Sequence, residues 1–176
     1  MSSPNNSIFL AYSQDAVRRL PNVIAQTLTA MGIDVYIDTN HFGRYESPPQ
    51  HILTEISRRT YYVILLTPAS IRWGFNLSEN RLRGEVIQAK ENGCRFVVLC
   101  GYGFVPKHAG VWWSHFGIPD TAVIKHIDHH NLTHSLESVA HSLDLTTHHI
   151  DLKSDEHIKQ LEAEAALDEG LTEDYD

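Results

Sequence analysis

Two nearly continuous apolar runs, Tyr61-Tyr-Val-Ile-Leu-Leu-Thr-Pro68 and Arg95-Phe-Val-Val-Leu99, are joined through one helical stretch that stops at Gly93. A strand that is apolar on both sides needs cover on both faces, and strands linked through helices are the repeating unit of a buried parallel sheet. The rest of the chain keeps the same rhythm. Strand signals at residues 7–11, 33–37, 61–66, 95–99 and 122–125 alternate with helical signals at 15–31, 48–58, 77–92 and 131–143. The pattern predicts an α/β protein with an open, parallel, five-stranded sheet and helices on both faces.

The helices carry their own punctuation. Val17, Leu20, Ile24, Leu28 and Met31 form an apolar stripe at spacings of three and four, and Gly32 is a suitable stop. Pro21 disagrees with an unbroken helix from residue 15, which places the start of the regular helix near the proline itself. For the third helix Asn76 is the candidate cap, with Glu79 as its reciprocal partner. Glu85 then falls in the third turn, with Leu82, Val86 and Ala89 facing the sheet. Ligand sites in such folds lie beyond the carboxyl ends of the strands, so the expectation is a cleft at Glu85.

Charge and composition remove several function classes. Of the 176 residues, 42% are hydrophobic, enough for the core of one domain, and no apolar stretch approaches the ~18 residues of a membrane span. The opening Met1-Ser-Ser-Pro-Asn-Asn-Ser7 lacks the basic and apolar regions of a signal peptide, so a cytoplasmic protein without membrane attachment is expected. Residues 151–176 hold ten acidic residues and two lysines, a net charge of −8, while residues 1–150 balance. A neutral body with an acidic tail repels a phosphate backbone, so no nucleic-acid partner is expected. The expected division is a flexible N-terminus over 1–6, one domain over 7–145, and an acidic tail over 146–176 that is partly helical or disordered. The tail's expected work is solubility or docking to a basic surface.

Other features carry less chemistry. Cys94 and Cys100 fit neither a disulfide framework nor a metal knuckle. Gly101-Tyr-Gly103 follows a strand, but Pro106 stands where a dinucleotide fingerprint needs its third glycine. Residues 111–116 read as a short helix. His130 and His134 have helical i, i+4 spacing, yet no third ligand completes a zinc pattern, and a solvated face is the expected reading. A phospho-receiver would need paired acids after the first strand and an aspartate ending the third, where Ala11-Tyr12-Ser13 and Leu66-Thr67-Pro68 stand instead.

In one order, without rearrangement, four segments resemble the boxes of the Toll/interleukin-1 receptor (TIR) domain family. Ile8-Phe9-Leu10-Ala11-Tyr12-Ser13-Gln14-Asp15 is similar to the first strand and its polar turn. Gly32-Ile-Asp-Val-Tyr-Ile-Asp38, followed by Gly43, is similar to the second strand and the long BB loop. Ile64-Leu-Leu-Thr-Pro68 is similar to the third strand, and Arg83-Gly-Glu85-Val-Ile-Gln-Ala89 to the helix that carries the catalytic glutamate of NAD⁺-cleaving members. The resemblance spans residues 7–143, and a short free-standing chain is most similar to the prokaryotic members.

That resemblance implies a flavodoxin-like TIR fold and cleavage of the nicotinamide–ribose bond of NAD⁺, as substrate and with no resident cofactor or metal. The product would be ADP-ribose or a cyclic form, in immune, antiviral defence. Glu85 is the implied catalytic residue. The implied substrate-binding set is Phe9, Tyr12, Asp38, Gly43, Arg44, Trp73 and Arg81, the last standing where the family often has tryptophan. Phe9, Tyr12 and Trp73 offer flat surfaces for the bases, Arg44 a cation for the pyrophosphate, and Gly43 a hinge. For Phe9 and Tyr12 core packing is the open alternative. Self-association through the BB loop, residues 39–47, and an effector or regulatory protein are the implied partners. The competing expectation is a non-catalytic module that assembles by TIR–TIR contacts, favoured by Arg81 as the enzyme is favoured by Glu85.

Overall fold

The computed structural model describes residues 6–12, 19–37, 48–67, 75–101, 117–128, 131–143 and 145, with 75–81 described by backbone alone. Five strands, β1 (Ser7–Tyr12), β2 (Asp34–Ile37), β3 (Tyr61–Leu66), β4 (Arg95–Cys100) and β5 (Val123–His126), form one sheet in the order β2-β1-β3-β4-β5. All four neighbouring pairs are parallel. The described helices are α1 (Leu20–Ala30), α2 (Gln50–Ser57), α3 (Phe75–Glu91) and α4 (Leu132–Ser142). The open parallel α/β sheet is the one expected from the alternation of segments, and its order, reversed between β1 and β3, is flavodoxin-like.

Local chemistry explains where the helices begin and end. Pro21 lies in the first turn of α1, where its missing N–H leaves no intrahelical bond unmade. At the other end Gly32 has φ +91°, its N–H donates to Thr29 O, and the N–H of Ile33 donates to Leu28 O. Gly93 closes α3 in the same way, with φ +71°, Gly93 N–H to Lys90 O and Cys94 N–H to Ala89 O. These left-handed glycines satisfy the last carbonyls and turn the chain directly into the next strand. Asn76 is already the second residue of α3, inside the first turn, so the expected cap position is corrected: the backbone becomes helical at Phe75.

The core lies in two layers, one on each face of the sheet. Leu20, Val23, Ile24 and Leu28 of α1 pack with Leu132, Leu136 and Val139 of α4 against Ile8, Leu10, Val63 and Leu65. On the other face Ile52 and Ile56 of α2 join Leu82, Val86 and Ala89 of α3 over Phe9, Tyr62, Ile64 and Val98. Leu82, Val86 and Ala89 therefore face the sheet as the helical spacing requires. The expected short helix at 111–116, residues 102–110 after Gly101, His130, and the tail from residue 146 lie outside the described residues.

Candidate functional site

Four aromatic residues occupy one row across the sheet beneath α2 and α3. Tyr36 of β2 is in register with Phe9 of β1, Phe9 with Tyr62 of β3, and Tyr62 with Phe96 of β4. Because side chains alternate along a strand, this register brings all four rings to the same face. The Phe9 ring stacks on Tyr36 with centroids 5.4 Å apart and on Tyr62 at 5.5 Å, while Tyr62 meets Phe96 edge-on at 5.6 Å. Arg59 caps the Tyr36 end at 5.6 Å from the ring centroid, held by Asp34 and Glu55 at 2.8 Å each.

Glu85 enters this layer from α3. Its side chain is buried, and the Tyr62 hydroxyl donates to Glu85 Oε1 at 3.0 Å. A buried ionised carboxylate is costly without donors, and a phenol at this distance is one. The geometry corrects the expected location. Tyr62 is the second residue of β3, and Glu85 lies ten residues along α3, about 15 Å from its start at the strands' carboxyl ends. The carboxylate thus sits between helix and sheet rather than beyond the strand tips.

The turn that bears Glu85 also meets the chain leading into α2. A Cβ built at Gly84 would come within 2.5 Å of Pro48 Cδ and 2.9 Å of Pro48 Cγ. Only a glycine lets the proline ring approach this closely. A glycine inside a helix costs about 1 kcal/mol relative to alanine, and here the approach of Pro48 accounts for it. Pro48 therefore rests against the residue that precedes Glu85.

The other candidates divide between several places. Phe9, 1% exposed and stacked between Tyr36 and Tyr62, fills the core role rather than lining a cleft. Its ring shares the layer of Glu85 and stacks on Tyr62, the donor to that carboxylate. Tyr12 packs on the opposite layer, against the cluster of α1 and α4, so the structure does not bring it to the carboxylate. Asp38, Gly43, Arg44 and Trp73 lie outside the described residues, as does the side chain of Arg81, whose backbone is in α3. Tyr62 and the Pro48–Gly84 contact were not anticipated from sequence. The signals were present: Arg83-Gly-Glu85 has an unexplained glycine in a helix, and period two in β3 sets Tyr62 with Ile64 and Leu66 on one face.

Both cysteines are free thiols. Burial pushes Cys100 up to about 11, and burial likewise raises Cys94, whose thiol donates to Arg59 O at 3.3 Å. Neither is a poised nucleophile. Among the described residues no three His, Cys, Asp or Glu side chains group as metal ligands, and no helix is long and apolar enough to cross a membrane.

No family model matches the chain, and no curated protein matches it. Several solved structures are similar. One of them is a metal-soaked flavodiiron core, Flv1 of Synechocystis sp. PCC6803, at 15% identity and a TM-score of 0.38, covering 81% of this chain. The match takes in 37% of that protein, so this chain spans little more than a third of its length. The fold assignment rests on the strand order and pairing in the chain itself.

Proposed function

We propose that the chain is a TIR-type NAD⁺ glycohydrolase or cyclase that breaks the nicotinamide–ribose bond, acting in immune defence. The observation that carries the reading is the buried Glu85 carboxylate, engaged by Tyr62 and carried on the helical turn against which Pro48 rests. Nicotinamide is a cationic group in NAD⁺ and departs neutral, so its cleavage needs no strong general acid. What it needs is negative charge beside a developing oxocarbenium ion and a fixed ribose. A carboxylate with one oxygen already engaged is preorganised for that task and has little reorientation to undergo as positive charge develops.

The BB loop, residues 39–47 with Gly43 and Arg44, lies in sequence between Asp38 and Pro48, and Pro48 packs on Gly84. In this proposal the loop closes over the substrate and contacts a neighbouring protomer, and Trp73 and Arg81 complete the substrate wall. Water as the attacking group gives ADP-ribose; a group of the same nucleotide gives a cyclic product.

The test is release of nicotinamide from NAD⁺ at high protein concentration, read by chromatography. Glu85→Gln keeps an amide oxygen to accept from Tyr62 and deletes only the charge, so turnover is expected to fall by about 10²-fold or more with the fold unchanged. Turnover by the variant near the wild-type rate would sink the assignment. The second reading is a non-catalytic assembly module. One observation favours it: Glu85 is only 7% exposed and has a hydroxyl partner, as a satisfied structural carboxylate would be. On that reading the wild-type protein releases no nicotinamide, and the Gln variant differs in stability alone.

A further inference from the structure

A second feature lies at the opposite end of the sheet, where β4 and β5 begin. An open pocket of about 460 Å³ is lined there by Lys90 from the last turn of α3, Arg95 at the start of β4, Tyr61, Thr121, Ser142 and Leu143, among others. The Arg95 guanidinium lies 6.0 Å from the Tyr61 ring centroid, and its Nη1 donates to Tyr61 Oη at 3.4 Å. Among the described residues no carboxylate lines the pocket, and neither Lys90 nor Arg95 has an ion pair there. Arg59, by contrast, is matched by two carboxylates at 2.8 Å. Two uncompensated cations converging on one concavity attract an anion.

The chain itself leads the most concentrated anion to this place. Ser142 and Leu143 form part of the pocket wall, and the Tyr61 hydroxyl holds Leu143 O at 2.9 Å. From Leu145 six residues reach Asp151, a span of at most about 20 Å. Residues 151–176 then carry ten acidic side chains against two lysines. A tether this short keeps those carboxylates at an effective concentration on the order of millimolar around the pocket, so individually weak ion pairs suffice. We infer that the acidic segment 151–176 docks through its carboxylates in the Lys90–Arg95 pocket of its own chain. The inference is independent of the proposed NAD⁺ chemistry.

The experiment uses the full chain. Limited digestion with a glutamyl endopeptidase follows cleavage within 151–176 at about 0.02 M and about 0.5 M salt, where the Debye length shrinks from about 20 Å to about 4 Å. At low salt the wild-type tail is expected to be cut about fivefold more slowly than that of the Lys90→Gln/Arg95→Gln chain, with the difference gone at high salt. Arg58→Gln, which changes an exposed cation outside the pocket, should match wild type. A chain with Glu162→Gln, Glu164→Gln, Asp168→Asn and Glu169→Gln leaves the folded body intact. Its amide NMR signals for residues 94–96 and 121–123 should take at low salt the positions the wild-type chain shows at high salt. Equal tail cleavage in wild type and the Lys90/Arg95 variant at low salt overturns the inference. So does pyrophosphate that shifts those amide signals without accelerating tail cleavage, since the pocket would then serve a free anion.

Discussion

The two faces of the sheet are packed by different chemistry. Beneath α1 and α4 the layer is mostly aliphatic, with Tyr12 half-buried at its margin, and its buried phenol, Tyr61, gives its proton to a backbone carbonyl at Leu143. Beneath α2 and α3 four rings form a row and a carboxylate is buried among them. Aliphatic packing holds a fold together at low risk, whereas a buried carboxylate contributes little to stability and often nothing. Among the described residues the one buried carboxylate, Glu85, lies in the α2–α3 layer, and that is the difference to be tested.

The largest expected effect comes from removing the ring at the centre of the row. Tyr62→Ala should cost about 3–5 kcal/mol in denaturant unfolding, because it opens a cavity between Phe9 and Phe96 and strips a donor from Glu85. A cost below that of Leu65→Ala on the aliphatic face would mean that the row does not anchor its layer. Next in size is Gly84→Ala. Alanine's helix propensity gains about 1 kcal/mol, but the new Cβ collides with the Pro48 ring, and a net loss of about 1–3 kcal/mol is expected. If the variant is instead more stable than wild type, the Pro48 contact is not a constraint on α3.

Smaller, and more pointed, is the pair itself. Tyr62→Phe should cost about 1–2 kcal/mol by leaving the carboxylate short of a donor, while Tyr62→Phe/Glu85→Met should return close to wild-type stability. A double variant as unstable as the single would make the pair structural and remove the contrast between the layers. The smallest effect appears only in alkali. Cys100 titrates near 9.0 in the unfolded chain and near 11 in the fold, so the unfolded state loses its proton first. Its contribution is complete below pH 9 and fades as pH rises toward 11, by roughly 1–2 kcal/mol relative to Cys100→Val. Parallel stability curves for the two proteins across that window would show that the thiol is not sealed.

Much of this contrast was written along the chain, but not all. The apolar runs of β3 and β4 and the stops at Gly32 and Gly93 are local signals, since they depend on burial along one strand or on φ at one residue. They place the elements to within a few residues. The meeting of Tyr62 with Glu85 is not local. It requires the strand order, the register of β1 with β3, and the rotational phase of α3 over the sheet, none of which a linear reading fixes. Phe9 shows the same limit: its position in β1 is plain in the sequence, but its enclosure by Tyr36 and Tyr62 follows from β1 lying between β2 and β3. The glutamate was legible as a residue type in a helix, and its depth below the strand tips was not.

The strand order also dictates how the molecule grows during synthesis. Residues 1–66 contain β1 and both of its neighbours, β2 and β3, so three of the five strands can pair before anything later has left the ribosome. From there each new strand joins the edge laid down by the last, β4 on β3 and then β5 on β4. Until residues 95–100 arrive, that growing edge is Tyr61-Tyr-Val-Ile-Leu-Leu66, an uncharged strand of high β-propensity with no proline. The interval in which the nascent chain is open to chaperones, or to pairing with another copy of itself, is therefore the time taken to translate α3.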